Sequence, residues 1–287
     1  VTFEKIVMQI IDRLQKKVPS NNLVMAGGCA MNGLVNGKIF KESNFKNYFI
    51  QPASTDDGTA LGAAYYCWHN HLKRKERFVM KHSFWGPSYN EDEILNEINK
   101  KNLKYKKFDN TNELTKHAAK VISESNVIGW YQGRSEWGSR ALGNRSILAN
   151  PAHKNMKDII NSKIKKRESF RPFAPSVLRE DLNEWFELDG DSPYMLLVSE
   201  VKKDKQIKMK KEDENLFGID KLNIKRSSIP AITHVDYSAR IQTVHKETNS
   251  RYYDLIKEFK KITNCPVLVN TSFNVRGEPI VCSIEDA

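Results

Sequence analysis

Near the start of the chain, apolar residues return every third or fourth position: Phe3, Ile6, Val7, Ile10, Ile11 and Leu14. This spacing lays one apolar stripe along an α-helix, and Thr2 stands where a capping residue belongs. The apolar run LVMA (23–26) predicts a short strand that runs into the paired glycines of GGCAMNG. Strand, glycines and helix start together are a geometry that presents backbone N–H groups to a phosphate. A second strand, NYFIQP (47–52), leads to STDDGTALGAAYY, where Asp56 and Asp57 precede a helix of small residues. Those acids suit either a metal or a helix cap, and capping is the commoner use.

Over residues 72–89 the periodicity fails and dense charge is followed by Gly-Pro, which marks a domain boundary. The expected division is 1–80 and 81–287. Beyond it helices and strands alternate: a helix at 90–101 capped by Asn90, strand LKYKKF (103–108), helix NELTKHAAKVISE and strand VIGWYQ. Then follow a helix at 154–165, strand-like YMLLVSEV (194–201), the segment IPAITHVDYSARIQTV, helix RYYDLIKEFKKI and strand PVLVN. The pattern predicts a mixed α/β fold. His69, His71 and His82 have no second ligand at metal spacing and read as packing or solvated histidines.

Composition narrows the picture. With 287 residues, 39% of them apolar, the chain can build two cored domains. A formal net charge of +11 favours anionic partners, although part of it is the lysine run KKDKQIKMKK (202–211), which reads as a solvated face. The four cysteines stand far apart with no CxxC pair, so neither a zinc knuckle nor a disulfide framework is indicated, and a reducing cytoplasm fits. No apolar run approaches the roughly 20 residues needed to span a bilayer. The chain opens at Val1 inside an expected helix and stops at IEDA, the start of another, so a fragment of a longer protein is expected.

The densest chemistry lies at 133–146, GRSEWGSRALGNRS, with three arginines, three glycines and one acid. Arginine forks match phosphate and carboxylate geometry, and glycine lets the backbone approach an anion closely. Three further pieces end strands or helices with cations or small polar groups: Lys165 and Arg171, His234 and Arg240, and Asn270, Thr271 and Ser272. If these meet Arg140 and Arg145 in one pocket, they describe a site for a phosphorylated or doubly anionic ligand. GxSxG, HExxH and GxxxxGK[ST] are all missing, which removes the usual support for a serine hydrolase, a zincin or a P-loop enzyme. A nucleic-acid-binding module remains the rival reading of the charge. It is disfavoured because the arginines sit in separate tight loops, not along one helix.

GGCAMNGLVNGKI, DDGTALGAA, GRSEWGSRALGNRSILANP, KKRESFRPFAPSVL, SPYMLLV, HVDYSARIQTV and PVLVNTSFNVRGEPIV follow one another in this order. Together they resemble the O-carbamoyltransferases of the NodU/CmcH type. The resemblance implies the end of an actin-like/sugar-kinase-like domain followed by a YrdC-like twisted α/β sheet domain with a positively charged concave site. It implies a reaction of carbamoyl phosphate with ATP and Mg2+ to give carbamoyl-adenylate and pyrophosphate. The carbamoyl group then passes to a hydroxyl of a small acceptor, such as a sugar, an antibiotic or a nodulation factor. Arg140, Lys165, Arg171, Met195, Arg240, Asn270 and Ser272 are the implied ligands of carbamoyl phosphate and the nucleotide, with Arg140, Lys165 and Arg171 in catalytic roles. Gly27 and Gly28 correspond to a nucleotide-phosphate loop, and Asp56 to a ligand of a divalent metal, iron being one candidate. The histidine pair and aspartate that complete that metal site lie upstream in the family and are absent from this sequence. Arg134 and Arg145 are expected to brace the loop, and Glu136 to orient an arginine with its pKa lowered. A homodimer is among the expected assemblies, and neither nucleic acid nor a membrane is an expected partner. The enzyme alternative is a tRNA threonylcarbamoyl-adenylate synthase using threonine and bicarbonate.

Overall fold

The computed structural model describes residues 2–222 and 224–287. Its first part holds α1 (Thr2–Lys17), β1 (Asn22–Met25), α2 (Gly33–Glu42), β2 (Asn47–Ile50) and α3 (Gly58–Tyr66). β1 and β2 pair in parallel, as two strands joined through a helix must. Asn32 caps α2, its Oδ1 accepting the Val35 N–H at 3.2 Å. A small core of Ile11, Leu23, Val35, Ile39 and Phe45 holds these pieces together.

The second part begins with α4 (Glu91–Lys100), opened by a capping box of Asn90 and Glu93, and α5 (Thr111–Ser123). Then come β3 (Ile128–Tyr131), β4 (Arg145–Ala149), α6 (Met156–Ile159) running into a wider helical turn over Ile160–Lys165, and β5 (Ala174–Leu178). They are followed by α7 (Leu182–Trp185), β6 (Leu197–Glu200), α8 (Lys211–Glu214), α9 (Gly218–Leu222), β7 (Ser238–Val244), α10 (Ser250–Thr263) and β8 (Val267–Ser272). The strands form one six-stranded sheet in the order β3-β4-β8-β5-β7-β6, antiparallel throughout except for the parallel pair β5–β7. The fold is mixed α/β, as the alternating pattern predicts. α5 and α10 pack on each other and on the sheet, and Ile122, Leu148, Val177, Ile241, Leu255, Phe259 and Val269 are all buried in the shared core. No helix among the described residues is long and apolar enough to cross a membrane.

Register determines which side chains meet. Residues directly opposite in paired strands share a face, as do residues two apart along a strand. Arg240 and Gln242 on β7, Ala174 and Ser176 on β5, and Asn270 and Ser272 on β8 are linked by the pairs Ser176↔Gln242 and Ala174↔Asn270, so they lie on one face. That face becomes the floor of the site. Beside it α2 rests directly on the backbone of edge strand β6. A Cβ on Gly37 would lie 2.0 Å from the Val198 carbonyl oxygen, so only glycine permits this approach. Asn36 secures the contact by donating to the Leu196 carbonyl at 3.0 Å and the Ala30 carbonyl at 2.7 Å.

Two expectations about elements need correction. Residues 103–108 form no strand: Lys104, Lys106 and Lys107 crowd the segment, it pairs with no strand, and Leu103 and Tyr105 are exposed. The helix expected over 154–165 is an α-helix only from Met156 to Ile159, because its second half widens into a π-helical turn that ends at left-handed Lys166.

Candidate functional site

The loop between β3 and β4 folds around its one acid. Glu136 Oε1 accepts the backbone N–H groups of Leu142 at 2.7 Å, Asn144 at 2.8 Å and Arg145 at 3.3 Å. Burial outweighs these bonds and pushes the carboxyl pKa up. The expectation of an arginine partner and a lowered pKa is therefore corrected: Glu136 organises backbone amides in a dry environment. Gly138 and Gly143 turn the loop at φ of 122° and 105°, and a Cβ at Gly143 would strike the Tyr252 ring at 2.2 Å.

The other two arginines of the loop brace it, as expected. The buried Arg145 guanidinium donates to the carbonyls of Gln132, Asn144, Pro87 and Gly133 at 2.8–3.2 Å and lies 3.5 Å over the Tyr131 ring. Arg134 donates to the Trp85 carbonyl at 3.0 Å.

Arg140 is left facing a cleft of about 520 Å³, whose lining includes Arg171, Arg240, Met195, His234, Asn270, Thr271 and Ser272. The four separated sequence pieces thus converge. Arg140 and Arg240 pair with no carboxylate among the described residues, and both have an Nε that is buried without a partner. Burial first, and Arg140 second, draw the Arg240 pKa down to about 10. Burial likewise lowers that of Arg140. The His234 pKa is pushed down by burial, with Asp236 opposing the effect and Arg240 adding to it, which favours the neutral ring. Two uncompensated guanidinium groups in a partly dry site are an arrangement that an anion relieves.

On the floor, Asn270 Nδ2 donates to the Ala141 carbonyl at 3.1 Å, Ser176 Oγ at 3.0 Å and Gln242 Oε1 at 2.8 Å. These bonds fix the amide orientation and leave the buried Oδ1 unpartnered. Met195 is 2% exposed and takes left-handed φ of 57° in the turn before β6, which brings a core-type side chain into the cleft wall.

Lys165 is not part of the lining. Its Nζ donates to the carbonyl and Oγ of Ser272 and to the carbonyl and Oδ1 of Asn274, so it pins the end of β8. Burial, with Arg167 second, draws its pKa down to about 8.

Arg167 lines the cleft and was missed by sequence reasoning. Its Nε donates to Asn161 Oδ1 at 2.7 Å and its guanidinium lies 5.0 Å over Phe173. The signal was its place in KKRESFRPF, two residues beyond Lys165. Asn32, Gly33 and Leu34 were missed as well, because nothing local to them predicts that α2 docks on β6.

Gly27, Gly28 and Asp56 lie outside this cleft. Gly27 adopts φ of 93°, and open space surrounds the positions where Cβ atoms would stand on both glycines. Asp56 is exposed, and no group of three or more His, Cys, Asp or Glu suited to a metal occurs among the described residues. Asp56 alone does not make a metal site.

A sequence model of the carbamoyltransferase C-terminus matches residues 119–287, and one of the carbamoyltransferase N-terminus matches residues 1–65. The chain belongs to the carbamoyltransferase family, a family of transferase enzymes. It is 49% identical to protein sll1178 of Synechocystis over 100% of this chain and 48% of the relative. It is 42% identical to nodulation protein NolO of Bradyrhizobium diazoefficiens over 99% of this chain and 49% of that protein. It is 29% identical to the 3'-hydroxymethylcephem-O-carbamoyltransferase of Amycolatopsis lactamdurans over 99% of this chain and 48% of that enzyme. The chain spans about half the length of these curated relatives.

Proposed function

We propose that this chain carries the carbamoyl-adenylate-forming site of an ATP-dependent O-carbamoyltransferase. The observation behind this reading is that four arginines, Arg140, Arg167, Arg171 and Arg240, line one cleft whose lining contains no carboxylate. A volume of about 520 Å³ suits a nucleotide-sized ligand better than a single small anion. For the reaction to balance, carbamoyl phosphate, ATP and one water give carbamoyl-adenylate, pyrophosphate and phosphate. The arginines hold the charge that accumulates on the phosphate oxygens. Magnesium accompanying ATP would be held by phosphate oxygens and water, since the lining offers it no carboxylate. Transfer to the hydroxyl of a small acceptor completes the proposed activity. One of the relatives is a 3'-hydroxymethylcephem-O-carbamoyltransferase.

The test is carbamoyl-phosphate-dependent exchange of labelled pyrophosphate into ATP by the purified chain with magnesium and no acceptor. Exchange is the expected result. Exchange that requires threonine and bicarbonate instead would support the threonylcarbamoyl-adenylate alternative, and no exchange with either set would overturn the adenylation reading for this chain.

A further inference from the structure

The cleft has a wall that does not come from the six-stranded sheet or its loops. Asn32, Gly33 and Leu34, at the start of α2, line it together with the arginines. These residues fall within the N-terminal family match, 1–65, whereas Arg140, Arg240 and Ser272 fall within the C-terminal one, 119–287. The first turn of a helix has backbone N–H groups without intrahelical acceptors. Asn32 Oδ1 accepts the Val35 N–H, and the Asn36 N–H bonds the Asn32 carbonyl at 3.0 Å. Among the described residues, the N–H groups of Gly33 and Leu34 and the Asn32 Nδ2 donate to no acceptor. α2 has ten residues, so its N-terminus carries a developed positive dipole end.

Two further observations connect this turn to a ligand. A Cβ on Gly33 would stand 3.6 Å from Arg240 Cδ, so the turn lies against one of the unpaired arginines. Across the same cleft stands Asn270, 1% exposed, with its Oδ1 buried and unpartnered. An amide oxygen only accepts hydrogen bonds, so this atom calls for an N–H or O–H group of the ligand and not for its phosphate oxygens.

We propose that the first turn of α2 is a fifth piece of the anion site: Asn32 Nδ2 and the Gly33 and Leu34 N–H groups bind phosphate oxygens of the same ligand that Arg140 and Arg240 hold. The site is then shared between the two family segments, and anion binding clamps α2 onto β6. Gly37 and Asn36 set the geometry from a distance, because they seat the helix on the Val198 and Leu196 backbone.

This inference rests on the anion-cleft reading, and the experiment separates the two. Inorganic pyrophosphate is titrated calorimetrically into the wild-type chain and into Asn32→Ala, Gly37→Ala and Arg240→Ala variants. Amide hydrogen exchange over residues 33–40 is followed with and without pyrophosphate. The expected results are slower exchange at α2 on binding, and affinity about tenfold weaker in both Asn32→Ala and Gly37→Ala, the size of one hydrogen bond to a charged group. Arg240→Ala weakens binding at least as much. Should Gly37→Ala fail to fold, Asn32→Ala, whose substitution leaves the β6 contact untouched, decides alone. Wild-type affinity in Asn32→Ala, unchanged exchange at α2 and lost binding in Arg240→Ala would overturn the shared site while sparing the cleft. No pyrophosphate binding by the wild-type chain would remove both.

Discussion

The two halves of the molecule bury their apolar residues to different degrees. Around the six-stranded sheet every strand but the edges is flanked on both sides, and a large core runs from Ala118 to Val269. In the first segment two parallel strands carry a core of five buried side chains, and α3 contributes no buried residue at all. Of the apolar stripe on α1, only Ile11 is buried, while Phe3, Ile6, Ile10 and Leu14 are exposed. Periodicity specifies which face of a helix is apolar, and it says nothing about whether that face is covered. The segment nevertheless holds its place against the sheet domain, through the backbone contacts at Gly37 and Asn36 and through Met31, Phe40, Phe49 and Ile50, which pack against buried apolar residues of that domain.

The largest expected effect tests the well-packed half. Phe259 is fully buried on α10, and Phe259→Ala should lower unfolding free energy by about 3–5 kcal/mol, measured by denaturant melts. A cost near 1 kcal/mol would mean that the contrast in burial does not carry through to stability. Next comes the loop. Glu136→Ala strands three backbone N–H groups and should cost about 3 kcal/mol, while Glu136→Gln, which keeps an acceptor oxygen, should cost about half as much or less. Equal costs would show that the charge, not the acceptor, is what the loop requires.

Arg140→Ala should act on binding and leave stability alone. Loss of one charge-assisted contact predicts roughly ten- to hundredfold weaker pyrophosphate binding by calorimetry. The melting temperature should not fall, because Arg140 pairs with no carboxylate and repels Arg240. A clear loss of stability would make Arg140 a brace like Arg145.

The candidate site was legible where chemistry sits in the sequence as type and order. Arg140, Arg171, Arg240, Asn270 and Ser272 ended strands or loops in α/β fashion; register puts Arg240, Asn270 and Ser272 on one face, and the loops bring Arg140 and Arg171 to the same cleft. Met195 was legible only through the family resemblance, since its cleft position depends on a left-handed turn that composition does not signal. Lys165 lies beside the cleft and outside its lining, because four acceptors of Ser272 and Asn274, at the end of β8, hold its ammonium. The α2 wall was illegible because it is created by a long-range docking contact. The missing strand at 103–108 shows that short alternating runs need a partner edge which local sequence cannot supply.

Lys165 gives a smaller, pH-dependent effect. With its pKa drawn down to about 8, the ammonium loses a proton as pH rises through that value, and with it one donor to the Ser272–Asn274 turn. Pyrophosphate affinity relative to a Lys165→Met variant should therefore fall a few-fold above that pH. The ratio of the two affinities cancels the titration of pyrophosphate itself. A ratio independent of pH would mean that the lysine holds the turn equally well without its charge.

The smallest effect belongs to the bare stripe of α1. Ile10 is 56% exposed, so Ile10→Ser removes little buried area and should change the stability of this chain by less than about 0.5 kcal/mol. The comparison that gives this number meaning is Ile11→Ser on the same turn. Ile11 sits in the small core and its replacement buries a hydroxyl among Leu23, Val35 and Ile39, at a cost of about 2 kcal/mol or more. If denaturant melts show the two substitutions costing the same, the stripe is covered in solution. Sedimentation at increasing concentration would then show whether a second copy of the chain provides the cover. If Ile10→Ser is silent and Ile11→Ser is not, the contrast between the segments is a property of the isolated chain: one half is stabilised by its own core, the other by a small core and its contacts with the sheet domain.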